Sequence, residues 1–298
     1  MKKVLFATTA LVATAGVAAA DVTFGGYARF GVFYSDDGTN SSTDVTSRFR
    51  LQIDATAESD SGVTFGARAR IQQNETDAIA EAANSGTGIN GVRFFARTGG
   101  LEVGVGNIFG ALEFMPGMYP IDLGLTGLSY EYTAYNFKAD AYDSGGAGAA
   151  GSNGFEMMYT MGDFGMHLSA SDTNDRVAGY VSYSVAGYTF AVGAQDSSDA
   201  GDTELAVSAS GKMGPADLTL AYADNGTNGD RIVLAGSFDV GAATNVEAYI
   251  VDADAGPDTG YGIDFNHNLG GGTSLRGGVM KSIDGDTTKA DLGVRFNF

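Results

Sequence analysis

Two arginine pairs stand out in this chain of 298 residues: Arg48 with Arg50, and Arg68 with Arg70. On an extended strand, residues two apart share a face, so each pair would project two guanidiniums side by side. Arg29, Arg93 and Arg97 hold the same parity within their own alternating stretches, and these seven are most of the arginines in the chain. Adjacent strands lie about 4.8 Å apart, so the seven would form one basic patch on one wall. Such a patch attracts and orients anions; by itself it breaks no bond. Signals for catalysis are poor. His167 and His267 are the only histidines, with no H-E-x-x-H and no hydroxyl–His–acid order, and both are expected to line or rim the fold. The scattered glycines do not follow the strand, G-x-G-x-x-G, helix arrangement that cradles phosphate. They read as bulges and tight turns.

The elements that would carry these arginines alternate with period 2. In SRFRLQIDATA (47–57), Phe49, Leu51, Ile53, Ala55 and Ala57 oppose Arg48, Arg50, Gln52, Asp54 and Thr56. The stretch from Asp21 sets Val22, Phe24, Ala28, Phe30 and Val32 against Thr23, Tyr27 and Arg29. GVTFGARARIQQ and GVRFFAR repeat the pattern, and similar runs continue to Phe298, with no segment of helical period. Connections alternate in length. Short ones such as ESDSG, TGG, MGD and GGG are interleaved with long polar ones such as SDDGTNSSTD, NETDAIAEAANSGTG and DADAGPDTG. Tight turns at one end and long polar loops at the other are what a transmembrane β-barrel requires. Each arginine turned toward hydrocarbon would cost about 2–4 kcal/mol near the midplane, and four of them would rival a domain's net stability of about 5–15 kcal/mol. The arginine parity must therefore face a wet lumen, and the apolar parity lipid. Closure would leave no unpaired backbone groups in the membrane.

The ends and the composition agree. Met1, Lys2 and Lys3, an uncharged apolar run and Ala18-Ala19-Ala20 before Asp21 read as a secretory signal peptide over 1–20. The barrel is expected to occupy 21–298. Its cleavage would remove two lysines and no acid, making the formal charge of −19 more negative still. That excess of acid argues against nucleic acid as a partner. The absence of cysteine removes disulfides and Cys-based metal sites. Strand number is open on local pattern alone. Sixteen strands fit if 109–153 is one inserted loop, and eighteen if GLSYEYTA and YNFKADAYD form an extra hairpin.

Several stretches resemble the general diffusion porins of alphaproteobacteria, the group found in photosynthetic purple bacteria. GYARFGVFY resembles the first strand of that family, and SRFRLQIDATAESDSGVTFGARAR its second and third. GAATNVEAYIVD, LGGGTSLRGGV and ADLGVRFNF resemble late strands, and AYNFKADAYDSGGAG the tail of its third external loop. The likeness runs along the chain after residue 20 and is strongest at the two ends. It implies an all-β, sixteen-stranded antiparallel transmembrane barrel. It also implies a homotrimer in the outer membrane of a Gram-negative bacterium, in contact with lipid and lipopolysaccharide. The third external loop, transferred here to 109–153, would fold into the lumen and narrow it. The second, about 74–90, would latch onto a neighbouring subunit. Phe298, preceded by Phe296, Val294 and Leu292 at alternate positions, resembles the outer-membrane assembly signal.

The expected function is passive diffusion of small hydrophilic solutes and ions, selected by size and by a charged constriction. Its basic wall would be the seven arginines. The loop would supply the opposite sign through Glu113, Asp122, Glu131, Asp140 and Asp143, with Glu113 and Asp122 best placed to face the gap. Across 10 Å of bulk water one such pair is worth about 0.4 kcal/mol. That suffices to orient dipolar solutes without trapping ions. No cofactor is expected beyond calcium at acidic external loops. Asp36, Asp37, Asp77 and Glu81, with Asp252, Asp254 and Asp258, are the candidates, though none forms an EF-hand loop. Two further readings of a barrel are a substrate-selective channel using a track of Tyr119, Tyr130, Tyr132 and Tyr135, and a closed structural or adhesive barrel.

Overall fold

The computed structural model describes residues 20–75, 85–136, 153–198 and 201–298; the segment read as a signal peptide lies outside them, apart from Ala20. Alternating residues form one antiparallel sheet of seventeen strand segments. The first half comprises β1 (Asp21–Asp36), β2 (Ser41–Glu58), β3 (Thr64–Glu75), β4 (Ser85–Ile89), β5 (Arg93–Thr98), β6 (Leu101–Asn107), β7 (Asn153–Met161), β8 (Phe164–Ser171) and β9 (Arg176–Val185). The second comprises β10 (Tyr188–Asp196), β11 (Glu204–Met213), β12 (Ala216–Asp224), β13 (Asp230–Val240), β14 (Thr244–Ala253), β15 (Gly260–Gly270), β16 (Thr273–Lys281) and β17 (Thr288–Asn297). β4 and β5 pair one after the other along β3, so together they make one stave and the barrel has sixteen. Their break is bridged by a side chain. Asn90 accepts from the Arg70 N–H through Oδ1 at 2.7 Å, and its own N–H reaches the Arg70 carbonyl at 3.0 Å. The alternative count of eighteen fails because GLSYEYTA holds a short 3-10 turn at Leu128–Tyr130 and no strand.

The sheet closes on itself. β1 pairs with β2 along one edge and with β17 along the other. Phe298 exchanges two backbone hydrogen bonds with Gly26, at 3.0 and 3.1 Å, and its ring stacks on Phe49. No sheet edge is left unpaired in the hydrocarbon, where each bare N–H or C=O would cost several kcal/mol. Tight turns at 99–100, 162–163, 186–187, 214–215 and 271–272 lie at the end that holds the termini. The longer connections, including the one that begins at 108, leave from the other.

Side chains sort as the period demands. Phe24, Phe30, Phe49, Phe65, Phe94, Phe155, Phe190, Leu220, Ile250 and Leu292 stand exposed on the outside. An apolar surface of this extent belongs against lipid. The buried cluster lies inside the cylinder, where Leu112, Met115, Met118, Ile121, Leu123, Leu128, Tyr132 and Tyr135 of the 108–136 segment pack on inward residues of β9 to β14 and β16.

Candidate functional site

The segment after β6 owes its course to what the barrel wall offers it. It starts at a buried ionic knot. Glu156 accepts hydrogen bonds from Arg93 at 2.5 Å, from the Phe109 N–H at 3.0 Å, and pairs with His167 Nε2 at 2.9 Å. Arg93 also pairs with Glu102 at 2.6 Å and lies over the Phe109 ring, 4.0 Å from its centroid. The chain then crosses an inner surface of Ala178, Ala191, Gly193, Ala206, Ser208, Ala221, Ala223 and Ala235. Small residues are required there. A Cβ at Gly193 would stand 2.5 Å from Leu112 Cδ2 and 2.9 Å from Met115 Sδ, well inside van der Waals contact.

The turn of the loop rests on a row of wall carboxylates. Glu247, Asp264, Gly278 and Asp291 are successive register partners across β14, β15, β16 and β17. Glu247 accepts the Asp122 N–H at 3.0 Å and Asp264 the Gly124 N–H at 2.5 Å. Asp291 takes the Leu125 N–H, the Thr126 N–H and the Thr126 hydroxyl at 2.8–3.0 Å. Gly278 keeps the row open, since a Cβ there would lie 3.1 Å from the Gly124 Cα. Gly124 itself adopts φ +65°, a left-handed conformation that glycine tolerates and branched side chains do not. A buried donor left without its acceptor costs about 1–3 kcal/mol, so this row, which satisfies each of these groups, is a strong seat.

Arginines on β16, β17 and the adjoining β1 hold the loop as well. Arg29 donates to the Leu125 carbonyl at 2.7 Å. Arg276 and Arg295 share the Asp122 carboxylate at 2.6 and 2.9 Å. Glu131 does not reach toward the gap: its carboxylate accepts from the Ser282 hydroxyl and the Ile283 N–H, and its carbonyl from Arg231. Glu113 is buried at 6% exposure, a departure from the expected place at the gap. The packing of Ala111, Leu112 and Met115 on the wall turns its side chain inward. Asp140 and Asp143 lie outside the described residues. Burial holds the Tyr132 and Tyr135 hydroxyls well above the usual tyrosine range, so both rings are neutral.

The seven arginines divide into three groups. Arg48, Arg50, Arg68 and Arg70 are half-exposed on the inner faces of β2 and β3. Arg48 donates to Asn74 and to the Tyr27 hydroxyl, Arg50 to Gln72, Arg70 to Gln52, and Arg68 pairs with Asp54 at 2.6 Å. Arg29 and Arg93 are almost fully buried, at 5% and 2% exposure, and serve as anchors. Arg97 is exposed beside the tight turn at 99–100, its guanidinium over the Phe95 ring. Arg276 and Arg295 extend the basic wall across the closing seam, where Arg295, Arg29 and Arg48 are register partners. Like charges opposed in this way are destabilising. Sequence reasoning missed both, although each holds the inward parity of its strand.

Among the acidic candidates at the rim, Asp36 accepts the Gly38 N–H and the Tyr34 hydroxyl. Asp37 accepts the Asn40 and Thr39 N–H groups, which lower its pKa. Asp254 accepts the Asp230 N–H at 3.3 Å. Among the described residues, no three His, Asp or Glu side chains gather as a metal site; Asp77 and Glu81 lie outside those residues. His267 is paired with the Thr244 hydroxyl.

A closed barrel with a loop strapped inside it is matched over residues 7–288 by the family model for Gram-negative porins. The chain belongs to that family. It is 34% identical to a porin of Fuscovulum blasticum and 28% identical to one of Rhodobacter capsulatus, in each case over 93% of this chain and all of the relative. A solved structure of a Rhodopseudomonas blastica porin triple mutant superposes with a TM-score of 0.82 at 29% identity, over 93% of this chain and all of that one. The porin is thus an outer-membrane β-barrel, as the alternation and the loop lengths had implied.

Proposed function

We propose that the porin is a passive diffusion channel for small hydrophilic solutes and ions, filtering by size at the inward loop and by charge along the arginine wall. One observation carries this reading. The loop is seated inside the barrel, yet Phe114, Tyr119, Asp122 and Tyr130 on its free side remain 41–55% exposed, opposite the half-exposed Arg48, Arg50, Arg68 and Arg70. A water-accessible gap therefore separates loop and arginine wall. The channel needs no reaction chemistry, and the two histidines are taken up by Glu156 and Thr244. A homotrimer embedded in lipid and lipopolysaccharide accompanies this reading, as does export with cleavage after Ala20. Phe298, sealing the closing seam, suits an assembly signal read at the last strand.

Planar-bilayer recording of the purified protein in potassium chloride tests both channel and trimer. Conductance steps grouped in threes are expected. A barrel that inserts but passes no current would instead support a closed structural or adhesive role.

A further inference from the structure

The free side of the loop has an unexpected composition. Within 108–136, the exposed residues are Phe114, Tyr119, Asp122, Tyr130 and Asn136. Asp122 is tied to Arg276 and Arg295, and Asn136 lies where the described segment ends. Among the described residues of the loop, what remains facing the gap is three aromatic rings. They approach the basic wall in two groups. Phe114 lies tilted against Phe109 at 4.6 Å, and Phe109 lies under Arg68 at 5.8 Å. Tyr119 meets Tyr130 edge to face at 6.3 Å, and Tyr130 stands within electrostatic reach of Arg50. The wall already holds one ring in this manner: Tyr27 carries Arg295 at 4.1 Å and Arg50 at 5.3 Å from its centroid. Arg50 donates to the neutral side-chain amide of Gln72 and, among the described residues, pairs with no carboxylate.

Aromatic faces on one side and guanidiniums on the other recognise a flat ring bearing a negative charge. The ring gains contact area and quadrupole interactions with the loop, and the charge is met by planar donors suited to carboxylate. We propose that this throat is a subsite for small planar aromatic carboxylates, ring against Phe114, Tyr119 and Tyr130 and carboxylate toward Arg50 and its neighbours. The proposal rests on the channel reading above and names the solute class that the channel favours. Asp122, the exposed carboxylate among the described residues of the loop, is already shared by two arginines and so offers a cation little.

The test uses the intact porin in planar bilayers with three probes of similar size: benzoate, cyclohexanecarboxylate and benzamide. Benzoate is expected to modulate the potassium chloride current in a saturable way, with a lower half-saturating concentration than either of the others. Tyr119→Leu and Tyr130→Leu should each raise that concentration about two- to tenfold, the scale of one aromatic contact, while Tyr119→Phe and Tyr130→Phe retain it. Arg50→Gln should weaken benzoate and leave benzamide as before. A conducting porin that treats benzoate and cyclohexanecarboxylate alike overturns the aromatic subsite, and one that treats benzoate and benzamide alike overturns the anionic one. A barrel with no chloride current at all overturns the channel reading itself. Should the leucine variants fail to assemble, the three-probe comparison on the unaltered protein decides.

Discussion

Two walls of one cylinder obey the same period-2 rule with opposite residues. From β16 through the seam to β3 the inward positions are long and charged: Arg276, Arg295, Arg29, Arg48, Arg50, Arg68 and Arg70. From β9 to β13 they are short and apolar, among them Ala178, Ala191, Ala206, Ala221 and Ala235. The difference follows from what each wall meets. Water solvates the half-exposed guanidiniums of Arg48, Arg50, Arg68 and Arg70 at little cost, whereas the apolar stretch of the loop on the other wall demands close-packed contact. Residue size on the inward parity thus reports where the loop lies, and parity alone reports only which way is in.

The contrast is broken most severely by removing the loop's seat. Replacing Asp264 and Asp291 together with alanine leaves the Gly124, Leu125 and Thr126 N–H groups without acceptors. Each such buried group costs about 1–3 kcal/mol. Single-channel conductance is expected to rise as the loop leaves the wall, and heat dissociation on gels to occur at lower temperature; an unaltered conductance would show that other contacts hold the loop. A smaller effect sharpens the distinction between the walls. Ala221→Leu overpacks the seat and is expected to lower stability by about 1–3 kcal/mol. Thr23→Leu, at an exposed inward position of β1, should stay within about 0.5 kcal/mol. Equal losses in denaturant titrations of the two variants would erase the contrast. The smallest structural change addresses charge alone. With Arg48, Arg50 and Arg70 replaced by glutamine, reversal potentials in a salt gradient should move toward cation preference. Potentials that stay put would mean these side chains do not border the conducting path.

Much of the architecture was legible in the chain. Alternation in SRFRLQIDATA and its neighbours fixed which face was wet, because a charge on the lipid side is too costly to tolerate, and turn lengths set the two ends. The site was less legible, and for particular reasons. Arg276 and Arg295 lie more than 170 residues from the arginine pairs, and only the β1–β17 seam makes them neighbours. Asp264 and Asp291 are lone acids on their strands and Glu247 shares its own only with Asp252; their alignment follows from register across four strands, which no single stretch displays. Glu113 was misplaced because charge suggested solvent, while the buried Ala111, Leu112 and Met115 commit that stretch to the wall. The aromatic free face of 108–136 could be seen only once most of the other residues in that segment were known to be buried.

The bond pair between Gly26 and Phe298 is the outermost rung of a seam whose register runs from Tyr27–Asn297 to Asp36–Thr288. The two strands that meet there are the farthest apart in sequence, so closing the cylinder carries the largest loop-closure entropy of any pairing in the sheet.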